Sequence, residues 1–360
     1  MDNPWQIDEQ AYPHRGGSIE QLCFLANYAL LAPSSHNTQP WRFVVEHEGL
    51  VLYADRSRRL PVVDPDDREL IMSCGAALGH LEVAIRRFGR EPLVTCLPGR
   101  DDVDSGEPDR LAHVSLGGQR EPRAEDWQLF SGVLKRRTTR EVFSSLAVPP
   151  PIVDDLERIG SAMDIEMRTI TSKRERVAIA SLVAEGDRRQ FADPAFRAEL
   201  GAWIRSRRSA RRDGVSAEGF DMPDSLSSIG ALVIRTFDIG RGVAAHDEEI
   251  ATGSPLLMVL ASRTDDAAAW LTTGRVLSTL LLRAAASDVT ASYLNQPIEV
   301  AALRTSLASL VGIQGHPQLL LRLGYSEHMR PSSRRALHDV LERPATAESA
   351  RTSASREATH

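Results

Sequence analysis

Apolar residues recur along this chain in runs whose spacing separates helices from strands. Ile19, Leu22, Cys23, Ala26, Ala29 and Leu30 share one helical face, in a helix that must end by Pro33. Ser18 and Gln21 stand at capping-box spacing at its start. From Trp41 to Tyr53 the pattern changes to two strands with a turn near Glu48 and Gly49. Asp66 to Phe88 reads as a long amphipathic helix stopped by Gly89, with strands following around Val94 and over Leu111 to Leu116. After an acidic loop from Gly99 to Pro108, a second block opens with a helix over Trp127 to Arg137 and is interrupted at Pro149-Pro150-Pro151. Helices near Val153 to Ile159 and Arg174 to Phe191, a buried strand Leu256 to Ala261, a helix Ala268 to Ala286 and a strand Gln318 to Leu323 complete it. Residues 192–250 keep no sustained period.

Two long helices, each followed by a strand ending in glycine, give the halves a faint likeness. At an offset of 199 residues, Gly75, Leu78 and Leu81 fall on Gly274, Leu277 and Leu280. The pattern predicts an α+β chain with an arm at 1–17, a first module at 18–125 and a second at 126–343 carrying an insertion at 192–250. Past Arg343 the Ala/Ser/Thr-rich tail, 344–360, lacks large apolar residues and is expected to be disordered.

Composition narrows the function classes. A net charge of −6 gives no basic excess for nucleic acid or anionic lipid, and no apolar run reaches the ~18 residues of a membrane span. The N-terminus carries Asp2, Asp8 and Glu9 and lacks a basic-then-apolar leader pattern, so a cytoplasmic protein is expected. Cys23, Cys74 and Cys96 lie far apart and form neither a disulfide framework nor a zinc motif, and the ten histidines show no metal spacing. No G-x-G-x-x-G follows a strand and no G-x-S-x-G occurs. Of the 43 basic residues only Lys135 and Lys173 are lysines, so base composition of the gene accounts for abundant arginine without invoking phosphate. The run Arg205, Arg207, Arg208, Arg211 and Arg212 reads as a solvated helix face, or as a lid attracting the 2′-phosphate of NADPH.

The segment Ala32-Pro-Ser-Ser-His-Asn-Thr-Gln-Pro-Trp-Arg-Phe43 carries the most chemistry. A helix ends, a tight loop presents the hydroxyls of Ser34 and Ser35 and the amide of Asn37, and a strand begins at Trp41. Short polar side chains beside exposed backbone N–H groups suit a flat heteroaromatic or phosphate-bearing ligand. From Pro33 to Trp41 the segment resembles the P-S-S-x-N-x-Q-P-W motif of nitroreductase-like FMN oxidoreductases at every fixed position. Arg136-Arg137-Thr138-Thr139-Arg140 resembles the same family's R-x-S-x-K/R flavin-binding segment, with threonine for serine. The likeness spans residues 18–117 and 131–340 and is weak over 192–250.

The order of the motifs departs from the single-module pattern, in which the arginine segment comes first. Family members are dimers with FMN at the subunit interface, held by one subunit's arginines and the other's serine loop. Two fused modules, each keeping half of a site, reproduce that arrangement within one chain. The resemblance therefore implies two nitroreductase-like modules, a monomer as an internal pseudo-dimer, and one FMN per chain. It assigns Ser34, Ser35 and Asn37 to the flavin from the first module, and Arg136, Arg137, Thr138 and Arg140 from the second. Arg140 would lie near the pyrimidine edge, where a cation favours the reduced anionic flavin. Ser292, Tyr293 and Leu294 fall where the family's backbone approaches flavin N5 and O4, and Arg334 and Arg335 match its C-terminal phosphate clamp, although Ser332 or Ser333 could instead cap a helix there. The implied activity is ping-pong transfer of hydride from NAD(P)H to a small-molecule acceptor such as a nitroaromatic or quinone, with no catalytic side chain and no metal. The alternative is an FMN-storing or sensing protein whose 192–250 lid denies nicotinamide its stacking position.

Overall fold

The computed structural model describes residues 3–46, 48–96, 109–206, 209–216, 240–327 and 330–343. The acidic loop, the tail 344–360, Arg207 and Arg208, and most of the second half of the 192–250 insertion lie outside them.

In the first half, α1 (Ser18–Ala29) leads through the serine loop into the hairpin β1 (Trp41–Glu46) and β2 (Gly49–Ala54). Then come α2 (Arg68–Arg87), β3 (Arg90–Cys96), β4 (Arg110–Gln119) and α3 (Ala124–Lys135). α1 begins as predicted but is capped differently: the Glu20 carboxylate accepts from the Gly17 N–H at 3.1 Å, while the Gln21 amide donates to the carbonyls of Pro13, His14 and Gly16. Gln21 thereby fastens the arm, and Tyr12 is buried against Phe24 and Phe88.

The second half holds α4 (Pro150–Ser161), β5 (Ile165–Ile170), α5 (Lys173–Ala192) and α6 (Pro194–Trp203), followed by the two-residue strands β6 (Ile204–Arg205) and β7 (Val215–Ser216). Proline at its first position starts α4 rather than breaking it, because a first-turn residue needs no N–H partner. After them come α7 (Gly240–Gly253), β8 (Leu256–Ser262), α8 (Ala267–Ala286), β9 (Thr290–Tyr293), the short α9 (Gln296–Glu299), α10 (Ala301–Val311), β10 (His316–Gly324) and β11 (Leu341–Glu342). Arg205, Arg211 and Arg212, the members of the arginine run among the described residues, lie outside any helix: α6 ends at Trp203, and Arg205 turns inward to Asp213 at 3.0 Å.

Among the described residues the strands form two main sheets, ordered β11-β1-β2-β4-β3 and β5-β8-β10-β9, and a separate parallel pair of β6 with β7. All seven residues of β8 are buried, since Leu256, Met258 and Leu260 face α8 while Leu257, Val259 and Ala261 face α5, α7 and α10. β11 pairs in parallel with β1, Phe43 opposite Leu341, so the end of the chain returns to the first sheet. α3 likewise puts Leu129, Phe130 and Val133 into the first core.

The halves meet where α2 crosses α8. A Cβ on Gly75 would stand 2.2 Å from the Leu271 carbonyl, and one on Gly274 would stand 2.1 Å from the Met72 carbonyl. These contacts exchange under the 199-residue offset, and Gly79 against Ser278 obeys the same offset. Only residues without a Cβ allow this approach. His80, fully buried beside it, makes hydrogen-bond contact with Ser278 at 2.8 Å, and burial pushes its imidazole down to about 3, so it stays neutral.

Candidate functional site

The serine loop leaves α1 and enters β1 through a strained backbone. His36, Asn37 and Gln39 all have positive φ, at 48°, 52° and 52°. Each such non-glycine residue costs on the order of 1–3 kcal/mol and persists only where its surroundings over-determine it. Here the surroundings are specific. Ser34 Oγ accepts from the Gln39 N–H at 2.9 Å. Two side chains of α2 hold Ser35: its N–H donates to Ser73 Oγ, and its hydroxyl donates to the Glu69 carboxylate. Asn37 accepts from Arg334 at 2.8 Å and donates to the carbonyls of Gly214 and Ser333.

The arginine segment runs extended from the end of α3, and Thr138 bridges in parallel to Ala291 of β9. Arg136 and Arg334 are both 3% exposed, and both donate to the Leu31 carbonyl at the end of the first helix, at 3.2 and 3.4 Å. Among the described residues neither pairs with a carboxylate, and the Nε of each is buried without a partner. Burial pushes Arg136 down to about 10, opposed by Tyr293 and helped by the nearby charge of Arg137. Arg334 is held well below the usual range by burial first, then by Arg136 and Arg137. Like cations sharing one carbonyl oxygen repel, and an anion between them would relieve that repulsion. Trp5 of the arm closes over the group, its ring 4.1 Å from Arg137 and 5.4 Å from Arg334, while its indole N–H donates to the Ser332 carbonyl.

The end of β9 completes the arrangement. Ser292 is buried and lies opposite Arg322, and Tyr293 sits beside Arg136 with its hydroxyl unpartnered. Burial, resisted by the Arg136 charge, pushes that phenol up to about 12. Leu294 packs in the second half's core and its N–H is taken by the Leu320 carbonyl, so this residue supplies a position and not a free donor. Asn295 then donates to Glu69 at 3.3 Å, so one buried carboxylate joins the serine loop of one half to the β9 loop of the other.

Among the sequence-predicted residues, Ser35, Asn37, Arg136, Thr138, Tyr293 and Arg334 converge, Thr138 Oγ accepting from Arg136. Arg140 is exposed, and its charge reaches the serine loop: His36 is pushed down to about 4 by burial first and Arg140 second. Arg137 lies along the arm, donating to the Leu134 and Arg136 carbonyls. Arg335 grips Gln39 through backbone and side chain and donates to the Asp339 carbonyl. Four contributors were not singled out by sequence reasoning: Trp5, Gln39, Glu69 and Asn295. Gln39 stands within the matched motif and Asn295 directly follows the Ser292–Leu294 stretch, whereas nothing local marks Glu69.

No family model matches the chain. It is 30% identical over 324 residues to a Mycobacterium tuberculosis protein named "Putative NAD(P)H nitroreductase", covering 88% of this chain and 89% of that one. It is 32% identical over 354 residues to a second protein of that organism, named only "Uncharacterized protein", covering 93% and 97%. Among solved structures, the FMN-dependent nitroreductase NfnB of Mycobacterium smegmatis in complex with NADPH aligns at 16% identity and a TM-score of 0.39, over 60% of this chain and 96% of that one. The extent of the first relationship is decisive: this chain belongs to the nitroreductase family.

Proposed function

We propose that the chain binds one FMN between its halves and uses it to pass electrons from NAD(P)H to a small-molecule acceptor such as a nitroaromatic or quinone, in a ping-pong cycle, as a monomer. One observation carries this reading: Arg136 from the second half and Arg334 from the C-terminal segment converge on the Leu31 carbonyl with no carboxylate partner among the described residues, and the buried Nε of each has no hydrogen-bond partner. Their orphaned buried donors fit a dianionic phosphate. The residues present thus fit the cofactor, and bound FMN would supply the hydride-accepting centre of the reaction.

The chain's own groups divide the remaining work. Arg136 and Arg334 would hold the phosphate, with Trp5 excluding water from their outer side. Ser34, Ser35 and Asn37 would line the ring from the first half, with Ser292 and Tyr293 opposite. Arg140 would place positive charge at the pyrimidine edge. A protein that stores or senses FMN without turnover is the second reading, favoured by the insertion's contact with the serine loop through Gly214.

The test is the absorption spectrum of the purified protein followed by anaerobic NADPH. Flavin bands near one per chain, bleached by NADPH, support the enzyme. Bands that persist support storage, and no bands after soaking in FMN refute the cofactor. Arg136→Ala and Asn37→Ala should each lose FMN, and parental retention by both would overturn the site.

A further inference from the structure

The described part of the insertion does not hang free over the site. Cutting it away is expected to expose the site only if it is a cover, but its contacts are those of a support. Glu199 of α6 accepts from the backbone N–H groups of Val62 and Val63 at 2.9 and 3.0 Å, and Phe196, Leu200 and Ile204 pack against Leu60 and Val63. Beyond α6, the chain reaches the serine loop itself. The Gly214 N–H donates to the Asn37 carbonyl and the Gly214 carbonyl accepts from the Asn37 amide, both at 3.1 Å. Gln39, fully buried, donates to the Arg212 carbonyl at 2.8 Å. Two of the three left-handed residues of the loop are therefore held by backbone groups of the insertion.

Asp213 fixes where those backbone groups stand. Its side chain, 13% exposed, lies between Arg58 and Arg205, at 17% and 12%. Arg58 in turn donates from Nε to the Thr38 carbonyl at 2.5 Å, in the middle of the serine loop. The next residue, Gly214, has φ +80°, and a Cβ there would meet the Trp203 carbonyl at 2.3 Å. The turn therefore admits glycine alone, and its geometry passes directly to Asn37. Without the Asp213 carboxylate, two secluded guanidinium groups face each other with no counter-charge, and Arg58 is driven from Thr38.

We propose that α6 and residues 212–216 form a strut that fixes the Ser34–Gln39 loop in its ligand-binding shape, with Asp213 as the positioning residue. The identity of the ligand rests on the FMN reading above; the fixing of the loop does not. The strut belongs to the second half of the chain and the loop to the first, so the insertion locks one half-site in the register the other requires.

The test uses the full chain and Asp213→Asn, with two measurements: hydrogen exchange of a peptide covering 33–41, and FMN titration by flavin fluorescence. The expected result is exchange of that peptide faster by about tenfold and an FMN Kd raised by about tenfold, with the buried strand 256–262 unchanged. Parental protection of 33–41 together with parental FMN affinity overturns the proposal. Faster NADPH oxidation at unchanged FMN affinity also overturns it, because that is the behaviour of a cover. If Asp213→Asn loosens 256–262 as well, Glu199→Gln decides at the strut's other end: a smaller loosening of 33–41 supports the proposal, and none refutes it. A parent that binds no FMN, with 33–41 loosened in Asp213→Asn, keeps the strut and removes the FMN reading.

Discussion

Replacing Gly75 by alanine tests whether the two halves are held by close backbone approach. The new methyl carbon would stand 2.2 Å from the Leu271 carbonyl and 3.0 Å from Gly274 Cα, where ordinary contact begins near 3.4 Å. The obstacle is backbone on a buried helix, so no side chain can rotate away and α2 and α8 must separate by about an ångström. Overpacking of this kind costs ~1–3 kcal/mol, and its backbone origin puts it at the upper end. Alanine returns about 1 kcal/mol of helix propensity over glycine, leaving a net loss of about 2 kcal/mol. Gly242→Ala, at an exposed position in α7 with no atom within 4 Å, isolates that gain and should stabilise by ~0.5–1 kcal/mol. Urea unfolding followed by circular dichroism measures both. Gly274→Ala should match Gly75→Ala, and the double variant should lose less than the sum, because helices already separated admit the second methyl. A Gly75→Ala protein as stable as the parent would refute the reasoning, since the approach of the two helices could not then be as tight as the distances require.

Three other outcomes follow from the site and its surroundings. With no flavin present, inorganic phosphate should raise the melting temperature of the parent by occupying the space between Arg136 and Arg334, and Arg334→Gln should abolish that rise; an equal rise in both proteins would place the anion elsewhere. Trp5→Ala removes the ring over Arg137 and Arg334 and should weaken FMN binding by ~0.5–1 kcal/mol, read by titration. Asp187 is pushed up to about 8 by burial and by the neighbouring Asp247 charge, against a hydrogen bond from Gln296 and the charges of Arg140 and Arg188. A carboxyl whose folded value is raised holds its proton more tightly when folded. The parent should therefore lose stability as pH rises from near 4 to about 8, with this group contributing at most ~1.4 kcal/mol per pH unit. Asp187→Asn should flatten that slope in unfolding experiments, and an unchanged slope would remove Asp187 as its source.

Much of this architecture is written locally. The periodicity of α2 and α8, the run of Leu256 to Ala261 and the breaks at Pro33 and Gly89 follow from burial and backbone geometry within a few residues. Outside the predicted elements lie β5, with only Ile165, Met167 and Ile170 as apolar positions, and α10, whose Leu303, Leu307 and Val311 do stand at helical spacing. The serine loop was legible as chemistry because a strained turn of short polar residues leaves a sequence mark. Sequence alone thus determined α1, α2, α3, α5 and α8, the buried strand, the two motifs that resemble the family's and the departure in their order. Only the tertiary structure decided that Arg136 and Arg334 share one carbonyl, that Glu69 ties Ser35 to Asn295, that β11 joins β1, and that Asp213 of the insertion pairs with Arg58, which donates to Thr38 of the serine loop. The physical reason is distance along the chain. A helix or a turn is closed by neighbours whose spacing is fixed, whereas these contacts join residues up to some 300 positions apart, and their partners are chosen by the packing of whole elements.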